Sequence, residues 1–268
     1  MITVMIDKFY KKIIIFFITI SSFQANSQIN IDSLRFISTK QKSAVKAKTY
    51  LELAKAFQRI NQDSAYVYAK KVNDFATQNN DMNALARSSS IMAEVYQSRS
   101  LFKESIKLYQ KAINLAEKIK DKQIQSSALN GLGISHYYMN DLPLAEKYIT
   151  QAAKVRLEIK DYTYYSVIMI NLASIYYHSA QYEKSIEQAL KIEKVLLSSK
   201  EEYYLSAVYN LLGGNYQMGF PAKDLAKYYY QKSLIYAEKY SIKDNLITSN
   251  HNLGELYFKK KEYPRALD

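Results

Sequence analysis

The chain has 268 residues, 48% of them hydrophobic, with only six Gly and three Pro. That is enough apolar material for a sizeable core, and the scarcity of helix breakers points to an all-α protein. The formal net charge is +12 and Cys is absent, which excludes disulfides, thiol catalysis and Cys-ligated metal. Lys residues run along the whole chain beside acidic ones, as in Glu117-Lys118 and Glu183-Lys184. The positive excess therefore reads as a solvated helical surface, and no nucleic-acid partner is expected.

At the N-terminus Lys8, Lys11 and Lys12 precede the apolar run from Ile13 to Ile20, and Ala25-Asn26-Ser27 supplies small residues beyond it. This order predicts a signal peptide over residues 1–27, cleaved near Ser27-Gln28, and hence an exported protein, periplasmic or secreted. A transmembrane helix needs about 20 apolar residues, so no membrane span is expected in the region given. Residues 28–43 form a lead-in of mixed polarity with a capping candidate at Asp32-Ser33.

From Ala44 onward the chain repeats. An Ala or Gly follows a Leu or Met at Leu53-Ala54, Met92-Ala93, Leu132-Gly133, Leu172-Ala173, Leu212-Gly213 and Leu253-Gly254, about every 40 residues. Three residues later stands Phe57, Tyr96, His136, Tyr176, Tyr216 or Tyr257, and then a second small residue, Ala65, Ser105, Ala145, Ser185, Ala226 or Ala266. The clearest copy runs from Ser126 to Asp161. There Leu129, Leu132 and His136 mark one helix face, Asn140-Asp141-Leu142-Pro143 breaks the helix, and Ala145, Ile149 and Ala152 mark the next. Asp141 can cap that second helix, and Pro143 suits its first turn. Asp81, Asp121, Asp161 and Glu201 punctuate the repeat ends. The connection at Asn61-Gln62-Asp63 is one residue short, and that at Gln217 to Asp224 about one residue long.

The pattern Leu-Gly/Ala, Tyr, small residue, aromatic or Ile, Ala resembles the tetratricopeptide repeat over nearly all of residues 44–268. Leu132, Gly133, His136, Ala145, Ile149 and Ala152 carry it in the third copy, and Met92, Ala93, Tyr96, Ser105, Tyr109 and Ala112 in the second. The period near 40 exceeds the family's 34, and Leu129 and Met169 replace the family's Trp. The resemblance implies an α-α superhelical solenoid of antiparallel hairpins, with about five full repeats and a partial sixth. Small residues let paired helices approach, and Tyr96, Tyr109, Tyr148, Tyr176 and Tyr229 fill the space between repeats. The sixth copy stops at Asp268 about one turn into its second helix, whereas a solenoid normally closes with a polar cap. A C-terminally truncated fragment of a longer protein is therefore expected.

Catalytic motifs are missing. His136 replaces a core Tyr, while His178 and His251 lack a partner at the spacing a helical metal site favours. Gly131-Leu132-Gly133 has no third Gly for a dinucleotide fingerprint. No catalytic residue, cofactor or metal is expected. The family resemblance implies a non-catalytic scaffold that holds a protein or peptide in the groove lined by first helices. On the third copy that groove is expected to include Asn130, Tyr137 and Tyr138. The fourth adds Ile170, Asn171, Ser174 and Tyr177, the fifth Asn210, Gln217 and Met218, and the sixth His251, Asn252 and Glu255. The repeated Asn residues either hold a ligand backbone, since an amide donates and accepts, or tie adjacent helices together. The alternative is the extracytoplasmic sensor domain of a membrane-anchored signalling protein, a transcriptional regulator or histidine kinase.

Overall fold

The computed structural model describes residues 43–58, 60–220 and 222–259. Within them eleven α-helices follow one another: α1 (Ser43–Phe57), α2 (Gln62–Gln78), α3 (Met82–Ser98), α4 (Phe102–Lys118), α5 (Lys122–Tyr138), α6 (Leu142–Glu158), α7 (Tyr162–His178), α8 (Tyr182–Ser199), α9 (Leu205–Gly219), α10 (Lys223–Lys239) and α11 (Lys243–Lys259). A single 3-10 turn at Glu202–Tyr204 precedes α9. No strand occurs among the described residues. The expected all-α array of hairpins is the observed fold. The expected signal peptide, the lead-in up to Lys42 and the sixth-copy positions Tyr263 and Ala266 lie outside the described residues.

The hairpins arise from a turn device repeated every twenty residues. Asn80, Ser100, Lys120, Asn140, Lys160, Ala180 and Lys200 all have left-handed backbone, with φ between 53° and 63°. Each reversal lets the next backbone N–H bond back to a carbonyl five residues earlier, as Asp121 N to Ala116 O at 2.9 Å and Asp141 N to His136 O at 2.9 Å. The same aspartates then start the following helix. The Asp121 side chain accepts from Ile124 N at 2.9 Å, and Asp81, Asp141 and Asp161 make the equivalent bond. At Asp81, Asp121 and Asp161 the acidic punctuation of the sequence is thus a double cap, closing one helix and opening the next, whereas Glu201 makes no side-chain cap. The long connection after α9 breaks the pattern: Phe220 is extended, with φ −138°.

None of these left-handed positions is Gly, although that backbone costs an L-residue roughly 1–2 kcal/mol. Ala180, exposed at φ 58°, has no side-chain cap to compensate. Replacing Ala180 with Gly is expected to stabilise the protein by about 0.5–1 kcal/mol, the strain relieved less the added unfolded-state entropy. A urea midpoint that fails to rise would contradict it.

The chain divides into two compact units, one ending at Tyr165 and the other beginning at Ser166. In the first unit α1 to α6 pack each on the next, and first helices also touch the first helix of the following repeat, α1 on α3 and α3 on α5. In the second, α8 to α11 pack successively and α9 touches α11. The small residues sit where helices meet: Ala54, Ala93, Ala173, Ala65, Ser105, Ala145, Ser185 and Ala226 are all fully buried. A Cβ on Gly133 would lie 3.0 Å from Ala145 O and 2.6 Å from Ile149 Cγ1, so only Gly permits that approach. Ser185 Oγ donates to Ala173 O at 2.8 Å and Asn215 Nδ2 to Ser185 Oγ at 2.8 Å, joining α7, α8 and α9. Tyr109 and Tyr176 are buried, as the family pattern implies. Tyr96, Tyr148 and Tyr229 are half-buried. His136 is also half-buried, stacked on Tyr148 with its Nδ1 3.5 Å from Asp141.

Candidate functional site

The inner face of each unit is made by what first helices leave uncovered. On α3 the buried residues are Ala86, Ser88, Ser89, Ile91, Ala93 and Val95. The remaining Arg87, Ser90, Glu94 and Gln97 recur at spacings of three and four, which lines them along one open stripe. Because first helices touch one another, such stripes lie side by side. Second helices turn their lysines outward instead, as Lys103, Lys107 and Lys111 do on α4.

Side-chain amides tie these stripes together at a separation of about one repeat. Gln58 Nε2 donates to the Glu94 carboxylate. Gln97 Nε2 donates to Gly131 O at 3.0 Å and to Ser135 Oγ at 2.8 Å. In the second unit Asn252 Nδ2 donates to Asn210 Oδ1 at 2.9 Å, Asn245 Nδ2 to Ser206 Oγ at 2.6 Å and Gln217 Nε2 to Glu255 at 3.4 Å.

The expected groove residues divide accordingly. In the first unit Asn130 and Tyr137 are half-buried, and Tyr138 is exposed, stacked on Phe102 at 5.0 Å. Burial pushes the Tyr137 hydroxyl up and that of Tyr138 up to about 12. In the second unit Tyr177 is half-buried against Gly214, and burial raises its hydroxyl too. Ser174 donates to Ile170 O of its own helix at 2.8 Å. Gln217 accepts from Tyr230 OH at 2.7 Å, and Glu255 accepts from Lys259 at 2.6 Å. Met218 and His251 are exposed. Two residues are not open to a groove: Asn171 is 1% and Ile170 4% exposed. The four amides do not form one file: Asn171 is buried, whereas Asn130 is half-buried and Asn210 and Asn252 meet.

A cavity of about 820 Å³ opens at the loop edge of the first unit, lined by Lys120, Asp121, Lys122, Lys160 and Asp161 among others. Its carboxylates are already engaged, Asp121 with Arg87 at 3.1 Å and Asp161 with Arg156 at 2.9 Å. None of the expected groove residues lines it. Among the described residues, no group of three or more His, Asp or Glu can hold a metal ion, and no helix is long and apolar enough to cross a membrane.

Residues 84–158 match the family model of the tetratricopeptide repeat. That segment, from α3 to α6, carries tetratricopeptide repeats. Three solved structures share the fold of the chain. Aspartyl phosphate phosphatase F from Bacillus subtilis is 16% identical with TM-score 0.68, over 88% of this chain and 62% of that one. A Rap protein complexed with competence and sporulation factor gives 16% and 0.68, over 88% and 66%. NprR in complex with its cognate peptide NprX gives 12% and 0.60, over 88% and 68%. At these identities the likeness shows the fold, and the chain spans less than two thirds of the phosphatase's length. Among curated proteins none matches the sequence.

Within the tetratricopeptide repeats one inner-face residue was not singled out from sequence, Glu94. Burial pushes its carboxyl up to about 7, and the amide of Gln58 opposes that shift. The signal was present: Ser90, Ile91, Gln97 and Ser98 occupy the positions three and four residues away, with no Lys or Arg to pair with it. In the unfolded chain the carboxyl ionises at an ordinary value, so between about pH 4.5 and 7 the folded state binds the extra proton. Stability should therefore fall as pH rises through that window and level off above it. Glu94→Gln is expected to remove this slope and to raise the urea midpoint at pH 8 but not at pH 4. An unchanged slope in the variant would contradict the assignment.

Proposed function

We propose that the chain is a non-catalytic scaffold that holds a protein or peptide segment along the inner face of its first helices. The observation that carries this is the composition of that face. In the first unit it presents Asn130 and Tyr137 beside the exposed side chain of Tyr138, and in the second Asn210 and Gln217 beside exposed Met218, while the lysines crowd the second helices. Amides that donate and accept suit a ligand backbone, and aromatic and Met surfaces supply apolar contact at low polar cost. The Rap protein and NprR complexes, each with a bound factor or peptide, support the same use of a similar fold. Export after cleavage near Ser27-Gln28 is part of the proposal and rests on the Lys8 to Ser27 pattern.

The test is panning of the full chain against a random twelve-residue peptide library. Retained peptides should lose affinity by about tenfold or more in the variant carrying Tyr137→Ala and Tyr138→Ala. Lys107→Ala with Lys111→Ala, on the outer side, should leave it unchanged. Equal binding by the tyrosine variant, or no retained peptide, would sink the proposal.

A further inference from the structure

The inner face of the first unit contains a polar group that its own packing leaves uncompensated. Glu94 is half-buried on α3 and takes one hydrogen bond, from the neutral amide of Gln58 just past the end of α1. The cations nearest in sequence are engaged elsewhere. Arg87 bonds Asp121 at 3.1 Å and Asn83 at 2.8 Å, and Arg99 pairs with Asp63. Lys55 on α1 pairs with Glu52 at 2.9 Å. From α4 the ionisable group acting with Glu94 is Tyr109, fully buried and neutral, over which Gly131 of α5 packs. Among the described residues no Lys or Arg forms an ion pair with Glu94, whereas Asp63, Asp121, Asp161, Glu193, Glu202 and Glu255 each have one.

One turn earlier on the same stripe, Ser90 presents the second unspent group. Its Oγ is buried and has no hydrogen-bond partner among the described residues. Residues four apart on a helix face are neighbours, so Ser90 and Glu94 share one stripe. Gln58, just past the end of α1, joins that stripe through its amide. Among the described residues no cation pairs with this group. A desolvated carboxylate without a counter-charge is costly, and a perturbed carboxyl at an open face marks a functional position.

We propose that Ser90, Glu94 and Gln58 form an anchoring subsite for the ammonium or guanidinium group of a basic side chain in a peptide bound along the inner face. This rests on the peptide-binding function above and names its chemistry. A Lys ammonium has three N–H donors and no acceptor, which matches the acceptors on offer. Binding requires the ionised carboxylate, so it releases a proton from Glu94 at neutral pH and strengthens as pH rises.

The experiment uses the full chain and the library-selected peptides. Peptides that bind should share a Lys or Arg, and replacing that residue by Gln should weaken binding by about tenfold or more to the wild type. The same replacement should matter less than about twofold to the Glu94→Gln protein, a double-mutant cycle that isolates the contact. Wild-type affinity should rise between about pH 5.5 and pH 8, and that rise should vanish in Glu94→Gln. Selected peptides without a basic residue, or equal losses in both proteins, would overturn the subsite while leaving peptide binding intact. Failure of the chain to retain any peptide would overturn both. Because Glu94→Gln keeps the shape and the hydrogen bond to Gln58, its fold is checked by an unchanged helical circular dichroism spectrum.

Discussion

Replacing Arg156 with Ala is expected to destabilise the first unit by about 3–5 kcal/mol, the cost of breaking a buried charge network. Arg156 is 3% exposed on α6. Its Nε donates to Ser126 Oγ at 3.1 Å, Nη1 to Asp161 at 2.9 Å, and Nη2 to Gln123 O at 3.1 Å and Ser127 Oγ at 2.9 Å. The guanidinium also lies over the Tyr164 ring at 4.2 Å. Burial works against its charge, and Asp161 restores it. The residue thus ties α6 to the start of α5 and holds the aspartate that caps α7. Truncation leaves the Gln123 carbonyl and the Asp161 carboxylate without their cation. Lys in this position should recover little, because an ammonium cannot serve the forked set of acceptors. Urea denaturation followed by circular dichroism gives the loss, and amide exchange should show it in α5 and α6. A loss below about 1 kcal/mol would mean that solvent replaces the network.

Gly131→Ala is the second large effect, expected at about 2–3 kcal/mol destabilising. On propensity alone the change should help, since Ala is favoured over Gly within a helix by about 1 kcal/mol. The added methyl, however, would fall 2.2 Å from Tyr109 Cζ and 2.5 Å from its hydroxyl oxygen. Tyr109 is 1% exposed, so its rigid ring has nowhere to turn without displacing α4 from α5. Shortening the partner should reverse the sign of the coupling: Tyr109→Leu with Gly131→Ala should cost less than the two single losses added. If Gly131→Ala raised the thermal midpoint, the close approach of α4 and α5 would be wrong.

Much of this architecture is legible in the chain because close helix packing admits few residue types. Ala54, Ala93, Gly133, Ala173 and Gly213 recur near 40-residue spacing since anything larger would push paired helices apart, and the hairpins follow from that alone. Asp141 was legible as a cap, whereas the other capping aspartates were visible as residues and not as roles. Asp121 and Asp161 look like solvated charges until the left-handed Lys120 and Lys160 bring each aspartate's N–H back to the preceding helix. The inner face was harder. Asn171 shares its neighbourhood in sequence with Asn130 and Asn210, but it is buried where they are half-buried. Gln58 and Glu94 are 36 residues apart, a pairing that appears only when one repeat is laid against the next. A polar residue's role here depends on its angle around the helix as much as on its type.

The most direct measurement exploits the absence of Cys in the chain. Single cysteines placed at Asn210 or Ser127, on inner stripes, and at Gln110 or Gln231, on outer helices, are titrated with a thiol reagent with and without the library-selected peptides. Binding along the first helices predicts that labelling at 210 and 127 slows by about tenfold on peptide addition while 110 and 231 stay unchanged. Protection confined to the outer positions would contradict the placement of the binding face.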